Sequence, residues 1–130
     1  MTQLQRSKIL EFHLSLPEGC RSVPATEQQI TSFEKEFGSI PDDYRWYLSA
    51  CGGGVVGSEW VDDITELKKT HLKFSEEDWN LKHVFVVGWD GAGNPMVIER
   101  KTGRMLVSDH NFGGVHVLAD SFADFVLKRK

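Results

Sequence analysis

Hydrophobic and polar positions follow the period of β-strands most clearly in the stretch HVFVVGWDGAGNPMVIERKTGRMLVSDH. Three short runs rich in apolar and β-branched residues occupy positions 83–87, 95–100 and 105–109. The turn sequences DGAGN and KTGR separate them, since glycine reaches positive φ at little cost and Asp and Asn bond their own backbone. This stretch therefore predicts an antiparallel meander, and residues 115–118 predict one further edge strand.

Other segments carry apolar residues three and four positions apart, which is the period of a helix with one buried face. Residues 3–16 predict a first helix that ends before Pro17, because proline disfavours helix at the residue preceding it. A second helix is predicted behind Thr26, whose hydroxyl forms a capping box with Gln29. Gly38 is suited to the C-terminal end of this helix.

Two more helices are predicted by the same period. In the third, Pro41 is well placed as the first helical residue. One face of that helix is apolar, and the face consists of Tyr44, Tyr47, Leu48 and Cys51. The final helix is capped by Ser121 with Asp124 at its third position. Its residues Phe122, Phe125 and Val126 are expected to face inward.

The stretch between the third helix and the meander is less regular. Residues 55–61 predict a short strand broken by Gly57, and Asp63 predicts the start of a short helix. Residues 68–82 are polar with isolated large apolar side chains, which favours a partly helical surface connection with His71 in solvent. The order of helices, strands and a final helix predicts an α+β fold, in which helices pack on one face of an antiparallel meander sheet.

The composition is that of one globular domain covering residues 1–130. The chain has 40% hydrophobic and 26% charged residues, a formal net charge of −4 and a pI near 5.7. This balance argues against tight, non-specific binding to nucleic acid, which needs a basic surface. Cys20 and Cys51 lack metal-ligand spacing and are expected to be free thiols in a reducing compartment. We expect no signal peptide and no membrane span, and therefore a cytoplasmic protein.

Several patterns that suggest chemistry are better explained by structure. Residues 52–57 spell GxGxxG, but a dinucleotide site needs these glycines after a strand and before a helix, and here the order is reversed. The sequence 90–94 resembles part of a calcium loop, but Lys101 occupies the position of the bidentate Glu. Asp109, His110 and His116 have too little spacing specificity to indicate a metal centre. We therefore predict no catalytic, metal or cofactor-binding residue.

The acidic and aromatic residues after the third helix are the best candidate for a binding surface. Trp60 lies among Glu59, Asp62 and Asp63, and Trp89 precedes a predicted turn at the end of a strand, where it is expected to be exposed. Aromatic residues beside acidic groups suit the anchoring of a basic protein partner. The alternative is that both tryptophans simply cover the edge of the sheet, because tryptophan is usually largely buried.

The order of motifs resembles that of the SUKH superfamily. The segment IPDDYRWYL (40–48), followed by CGGG (51–54), is similar to its LPxxYxxxL…NGG helix. Residues 86–94, VVGWDGAGN, resemble its IGxDxxGD strand and turn, and residues 118–126, LADSFADFV, resemble its closing LAxSFxxFL helix. The resemblance runs in family order from about Thr26 to Leu127. Cys51 and Asn94 depart from the usual Asn and Asp at these positions, and both still allow a turn.

The resemblance implies a compact α+β domain that binds proteins and has no catalytic activity. Bacterial members are often immunity proteins that neutralise partner toxins, and a fungal relative regulates cell-wall assembly. We therefore predict a bacterial immunity protein, a monomer or weak dimer that meets a basic toxin domain and binds neither nucleic acid nor membrane. A regulatory scaffold of cell-wall or signalling machinery is the alternative, and a small metal-dependent hydrolase using His110 and His116 is the third.

Overall fold

A computed structural model describes residues 1–76, 83–109 and 113–129 of the chain. A short 3₁₀ helix at Glu18–Cys20 follows the first α-helix. The remaining elements, in chain order, are α1 Gln3–Ser15, α2 Glu27–Phe37, α3 Asp42–Ala50, β1 Gly54–Val56, β2 Glu59–Val61, α4 Ile64–Glu76, β3 Val84–Trp89, β4 Pro95–Glu99, β5 Met105–Ser108, β6 Val115–Ala119 and α5 Phe122–Arg129.

The strands form one open sheet whose spatial order is the same as their order along the chain. Every neighbouring pair is antiparallel, from β1–β2 to β5–β6. The helices lie on one side of this sheet, so the predicted α+β meander is confirmed. Strand order is simple because each connection joins neighbouring antiparallel strands, and such connections can be short.

Side-chain alternation along the strands divides the buried residues into two clusters. Phe85 and Val87 of β3 face the helices and join the main core. Val86 points to the opposite face, where it packs in a smaller cluster with Val97, Leu106 and Phe74. A β-bulge between Val86 and Gly88 changes the register within β3. Phe74 of α4 therefore belongs to the cluster on the face away from the main core.

Most of the predicted helix signals are confirmed, and one is corrected. The Thr26 side chain accepts from the Gln29 backbone N–H at 3.1 Å, and the Gln29 side chain accepts from the Thr26 N–H at 2.9 Å. Gly38 ends α2 with a φ of 94°. Ser121 Oγ accepts from the Asp124 N–H at 3.1 Å. The α3 helix begins at Asp42, one residue after Pro41, which serves as its N-cap and not as its first helical residue.

Two predictions for the region between α3 and β3 are wrong. Residues 55–61 form a hairpin of two strands, with Gly57 in the turn, and not one broken strand. Residues 64–76 form one long helix. Its predicted start after Asp63 is confirmed, but residues 68–76, expected to belong to a partly helical surface connection, continue this helix and pack into the core. His71 was predicted to be solvated, yet only 2% of its surface is exposed. The predicted connection at 77–82 lies outside the described residues.

Close backbone packing explains the glycines that follow α3. A Cβ at Gly52 would overlap the carbonyl group of Val23, and one at Gly53 would lie 2.7 Å from the backbone nitrogen of Asp63. Gly52 also has a φ of 95°, which side-chain-bearing residues rarely adopt. A helix precedes these glycines and a strand follows them. The expectation that this GxGxxG sequence ends a helix and starts a turn is therefore confirmed.

Candidate protein-binding surface

The two tryptophans singled out from the sequence are neighbours on the sheet. Trp60 of β2 pairs with Trp89 of β3, so their side chains leave the same face of the sheet, away from the main core. Val55 of β1 pairs with Trp60 and extends this row. All three side chains are half-buried, and Trp89 also contacts Phe74 with ring centroids 5.8 Å apart. We call Val55, Trp60 and Trp89 the tryptophan row.

Asp62 does not contribute an exposed charge to this row. Only 2% of its surface is exposed, and its carboxyl oxygen accepts from the Thr70 hydroxyl at 3.3 Å. It also accepts a hydrogen bond from the side chain of Trp89. The pKa of Asp62 is raised to about 7, mainly by burial and also by the charges of Glu66 and Asp63, while the hydrogen bonds act to lower it. The carboxyl therefore links α4 to Trp89 from inside the fold.

The other two acidic residues of the predicted patch occupy different environments. Glu59 is buried, with 8% of its surface exposed, so it adds little to the outer surface. Asp63 is half-buried, and its carboxylate caps α4 by accepting from the Glu66 N–H at 2.9 Å. The expected exposed patch of Glu59, Trp60, Asp62, Asp63 and Trp89 is thus corrected in its exposure: the tryptophans and Asp63 are half-buried, and Glu59 and Asp62 are buried. A role of these residues in binding stays a prediction.

A groove of about 570 Å³ lies between α2 and α4. The buried side chains of Phe33 and Ile64 line it together with Leu72, which has 43% of its surface exposed. Lys68 and Glu36 also line it and form a salt bridge of 3.7 Å. Ile64, the first residue of α4, is one of its lining residues. The groove is therefore lined by helices and is distinct from the tryptophan row on the sheet.

The two buried histidines, His13 and His71, have structural roles. His13 is 4% exposed, packs edge-on against Tyr47 and donates to the backbone of Cys51, while its Nδ1 atom has no hydrogen-bond partner among the described residues. His71 contacts Phe33 and Phe85 in the core. Burial is the main cause that lowers the pKa of both imidazoles.

The remaining candidates for chemistry lie apart from one another or have structural partners. His110 of the predicted metal alternative is outside the described residues, and His116 is exposed on β6. Within the described ranges no three His, Cys, Asp or Glu side chains are grouped so as to hold a metal ion. The carboxylate of Asp90 accepts from the backbone of Ala92 and Asn94 at 2.9 and 2.8 Å, which confirms the turn. Cys20 and Cys51 are free thiols, and burial raises the pKa of Cys51 to about 12.

Sequence reasoning missed the role of α4, although its signal was present. Leu67, Thr70, His71 and Phe74 are all buried and have the i, i+3, i+4, i+7 spacing of a helix face. Two of the four, Thr70 and His71, are polar, so the spacing of apolar residues alone does not indicate this buried helix face. None of the helices in the described part of the chain is long and apolar enough to cross a membrane.

Comparison with known proteins identifies the fold at the level of a family. Residues 24–128 match the model of the SMI1 / KNR4 family (SUKH-1), which is most of the chain. The matched region contains every element from α2 to the greater part of α5. Among curated proteins, none matches this sequence.

Proposed function

The chain belongs to the SMI1 / KNR4 family (SUKH-1), and on that premise we propose that it is a non-catalytic bacterial immunity protein. It would act in the cytoplasm by binding and neutralising a cognate toxin. The family match over residues 24–128 is the observation that carries this proposal. The resemblance of the helix, turn and closing-helix motifs to those of the superfamily supports it further.

The tryptophan row and Asp63 form the surface that we propose for the partner. Large aromatic side chains that are only partly covered supply much contact area at low cost in conformational entropy, and they dominate the energetics of many interfaces. Trp89 packs against Phe74 and interacts with the buried Asp62 carboxyl, so one of the two rings already has partners within the fold before binding. A ring held in place loses less entropy when the partner arrives.

Electrostatic attraction would raise the rate of association with the partner. The chain carries a formal net charge of −4, and Asp63 and the exposed Glu66 lie beside the start of α4. An acidic surface attracts a basic domain over the range that salt permits and raises the association rate. The bound protein would then cover the active site of the toxin, so neutralisation would be stoichiometric.

Neutralisation in cells tests the proposal directly. Where the gene immediately upstream encodes a toxin domain, that domain is expressed in a sensitive bacterium, alone and together with this protein. We expect co-expression to restore growth, and the two purified proteins to form a 1:1 complex. Growth that stays arrested despite expression of the folded protein would contradict the immunity role and would favour the regulatory scaffold alternative.

A charge variant separates the proposed surface from the fold. Asp63→Asn keeps a good N-cap for α4 while removing one negative charge. We expect slower association with the toxin and a weaker dependence of that rate on salt. Asp120→Asn is the matched control, because Asp120 is exposed and follows β6, at the opposite edge of the sheet from β1. Equal association rates for both variants and the wild type would remove Asp63 from the interface.

A further inference from the structure

Among the described residues, nothing pairs with one edge of the sheet, and the other edge is partly covered. The outer strand β1 is joined by a further bridge from Arg21 to Gly54. At the opposite edge, β6 is the last strand and pairs only with β5 in the described sheet. Val115 and Val117 of β6 are 60% and 53% exposed, and His116 between them is exposed as well.

The hydrogen-bonding phase of β6 follows from its pairing with β5. The Asp109 N–H donates to the Gly114 carbonyl at 3.0 Å, and the register continues with Val107 opposite His116. Hydrogen-bonded and non-hydrogen-bonded pairs alternate along an antiparallel ladder. His116 is therefore in a hydrogen-bonded pair with β5, and the N–H and C=O groups of Val115 and Val117 point outward from the sheet.

The outward N–H and C=O groups of Val115 and Val117 can pair with the same groups of a second β6 strand, with every donor opposite an acceptor. A two-fold axis beside His116 places Val115 opposite Val117 of a second molecule, and Val117 opposite its Val115. Both are hydrogen-bonded pairs, so each outward N–H meets a carbonyl. His116 then lies opposite its own copy in a non-hydrogen-bonded pair, where the side chains are close. The exposed valines of the two strands form a continuous apolar strip on one face.

The strand also lacks the features that usually keep sheet edges apart. Natural edge strands are often protected by charged residues, especially lysine, or by proline. The sequence of β6 is VHVLA, which contains no acidic residue although the whole chain carries a net charge of −4. Two acidic molecules can approach at this strand without placing carboxylates of β6 opposite each other.

We propose that two copies of this chain associate through antiparallel pairing of their β6 strands, with the two-fold axis at His116. The ladder is short, because positive φ angles of 78° and 82° at Gly113 and Gly114 end the extended backbone. A contact of this size is far below the area buried in stable dimers, so the dimer is weak and depends on concentration. This inference does not rest on the proposed toxin partner.

Sedimentation equilibrium over a concentration series tests the association. We expect the average mass to rise from 14.7 kDa towards twice that value as concentration increases. Val117→Lys places a charge on the open edge and should raise the concentration needed by at least roughly tenfold. Leu14→Lys is the matched control, because Leu14 is 59% exposed on α1, and it should have no effect. A wild type that remains monomeric up to about 1 mM, or equal effects of both variants, would overturn the proposal.

Oxidative cross-linking tests the register in a Cys20→Ser background. Opposed residues in a non-hydrogen-bonded pair have Cα atoms about 4.5 Å apart, which a disulfide spans. His116→Cys should therefore form a covalent dimer, in an amount that increases with protein concentration. Val115→Cys is the control, since its copy is displaced by about 7 Å along the strand. Cross-linking through Cys at 115 but not at 116 would overturn the proposed axis.

Discussion

His71 Nε2 lies 3.1 Å from the carbonyl oxygen of Val86, and this contact ties α4 to the edge of β3 beyond the end of β2. The Arg100 N–H donates to the His83 carbonyl, so alternation along β3 directs the Val86 carbonyl away from β4. A carbonyl only accepts hydrogen bonds, which means that Nε2 carries the proton. The His71 imidazole therefore supplies to the Val86 carbonyl the N–H donor that a further backbone residue of β2 would supply.

Replacing this imidazole by a ring without a donor should destabilise the fold. His71→Phe keeps an aromatic ring against Phe33 and Phe85 but leaves the buried Val86 acceptor without this donor. We expect the free energy of unfolding to fall by about 1–3 kcal/mol. Urea denaturation at neutral pH measures it. His83→Phe, at the exposed residue before β3, is the control and should change stability by less than about 0.5 kcal/mol. Equal stabilities of the two variants would show that the contact contributes nothing.

The buried Asp62 carboxyl predicts a characteristic dependence of stability on pH. Its pKa is about 7 in the folded state and 3.8 in the reference state, so the folded protein binds the extra proton between these values. The contribution of this group to stability is fully present below pH 3.8 and is lost as pH rises through 7. Its size is at most about 4 kcal/mol, since one pKa unit corresponds to about 1.36 kcal/mol.

Comparison with Asp62→Asn isolates this effect from that of other groups. The amide has a similar shape and no charge, so the variant should gain stability relative to the wild type as pH rises from about 4 to 7, as judged by urea denaturation at each pH. The lowered pKa values of His13 and His71 act with the opposite sign, because their contribution is lost as pH falls below 6.5. They are present in both proteins and cancel in the difference. A difference that stays constant with pH would contradict a buried, titrating Asp62.

Gly38 and Gly52 have nearly equal φ angles, so alanine substitutions at the two positions distinguish the cost of backbone strain from the cost of steric overlap. Gly38 has a φ of 94° and nothing within 4 Å of a built Cβ, whereas Gly52 has a φ of 95° and the Val23 carbonyl in the way. We expect Gly38→Ala to lower the free energy of unfolding by about 1–3 kcal/mol from strain alone. Gly52→Ala should lower it by roughly twice as much or more, since backbone must also move. Equal losses, measured by thermal and chemical unfolding, would mean that the α3–β1 connection adjusts freely.

Much of the architecture was predictable because local signals and tertiary packing agree. The capping residues Thr26 and Ser121, and the glycine turns between the meander strands, each satisfy backbone groups within a few residues. Such signals can be read from neighbouring positions alone. The apolar face of α3 was equally clear, because all four of its members are buried in the main core.

The misassigned positions are those where polar side chains enter the interior. His71 and Thr70 are buried because particular distant partners, Val86 and Asp62, satisfy them. Asp62 was assigned to the surface for the same reason, since a carboxylate is rarely buried without a partner. Those partners come together only once α4 packs against β3, which residue spacing does not reveal. Trp60 and Trp89 were correctly singled out, but their pairing depends on the register between β2 and β3.

The most direct test of the account is a calorimetric titration of the toxin domain used in the growth test with this protein. We expect a 1:1 complex, and we expect Trp60→Ala to weaken it by at least about tenfold, or 1.4 kcal/mol. Trp46→Ala is the control, because Trp46 is a half-buried tryptophan of α3 that contacts Arg6 and is not part of the tryptophan row. A toxin bound with equal affinity by both variants, or not bound at all by the folded wild type, would contradict the proposed surface.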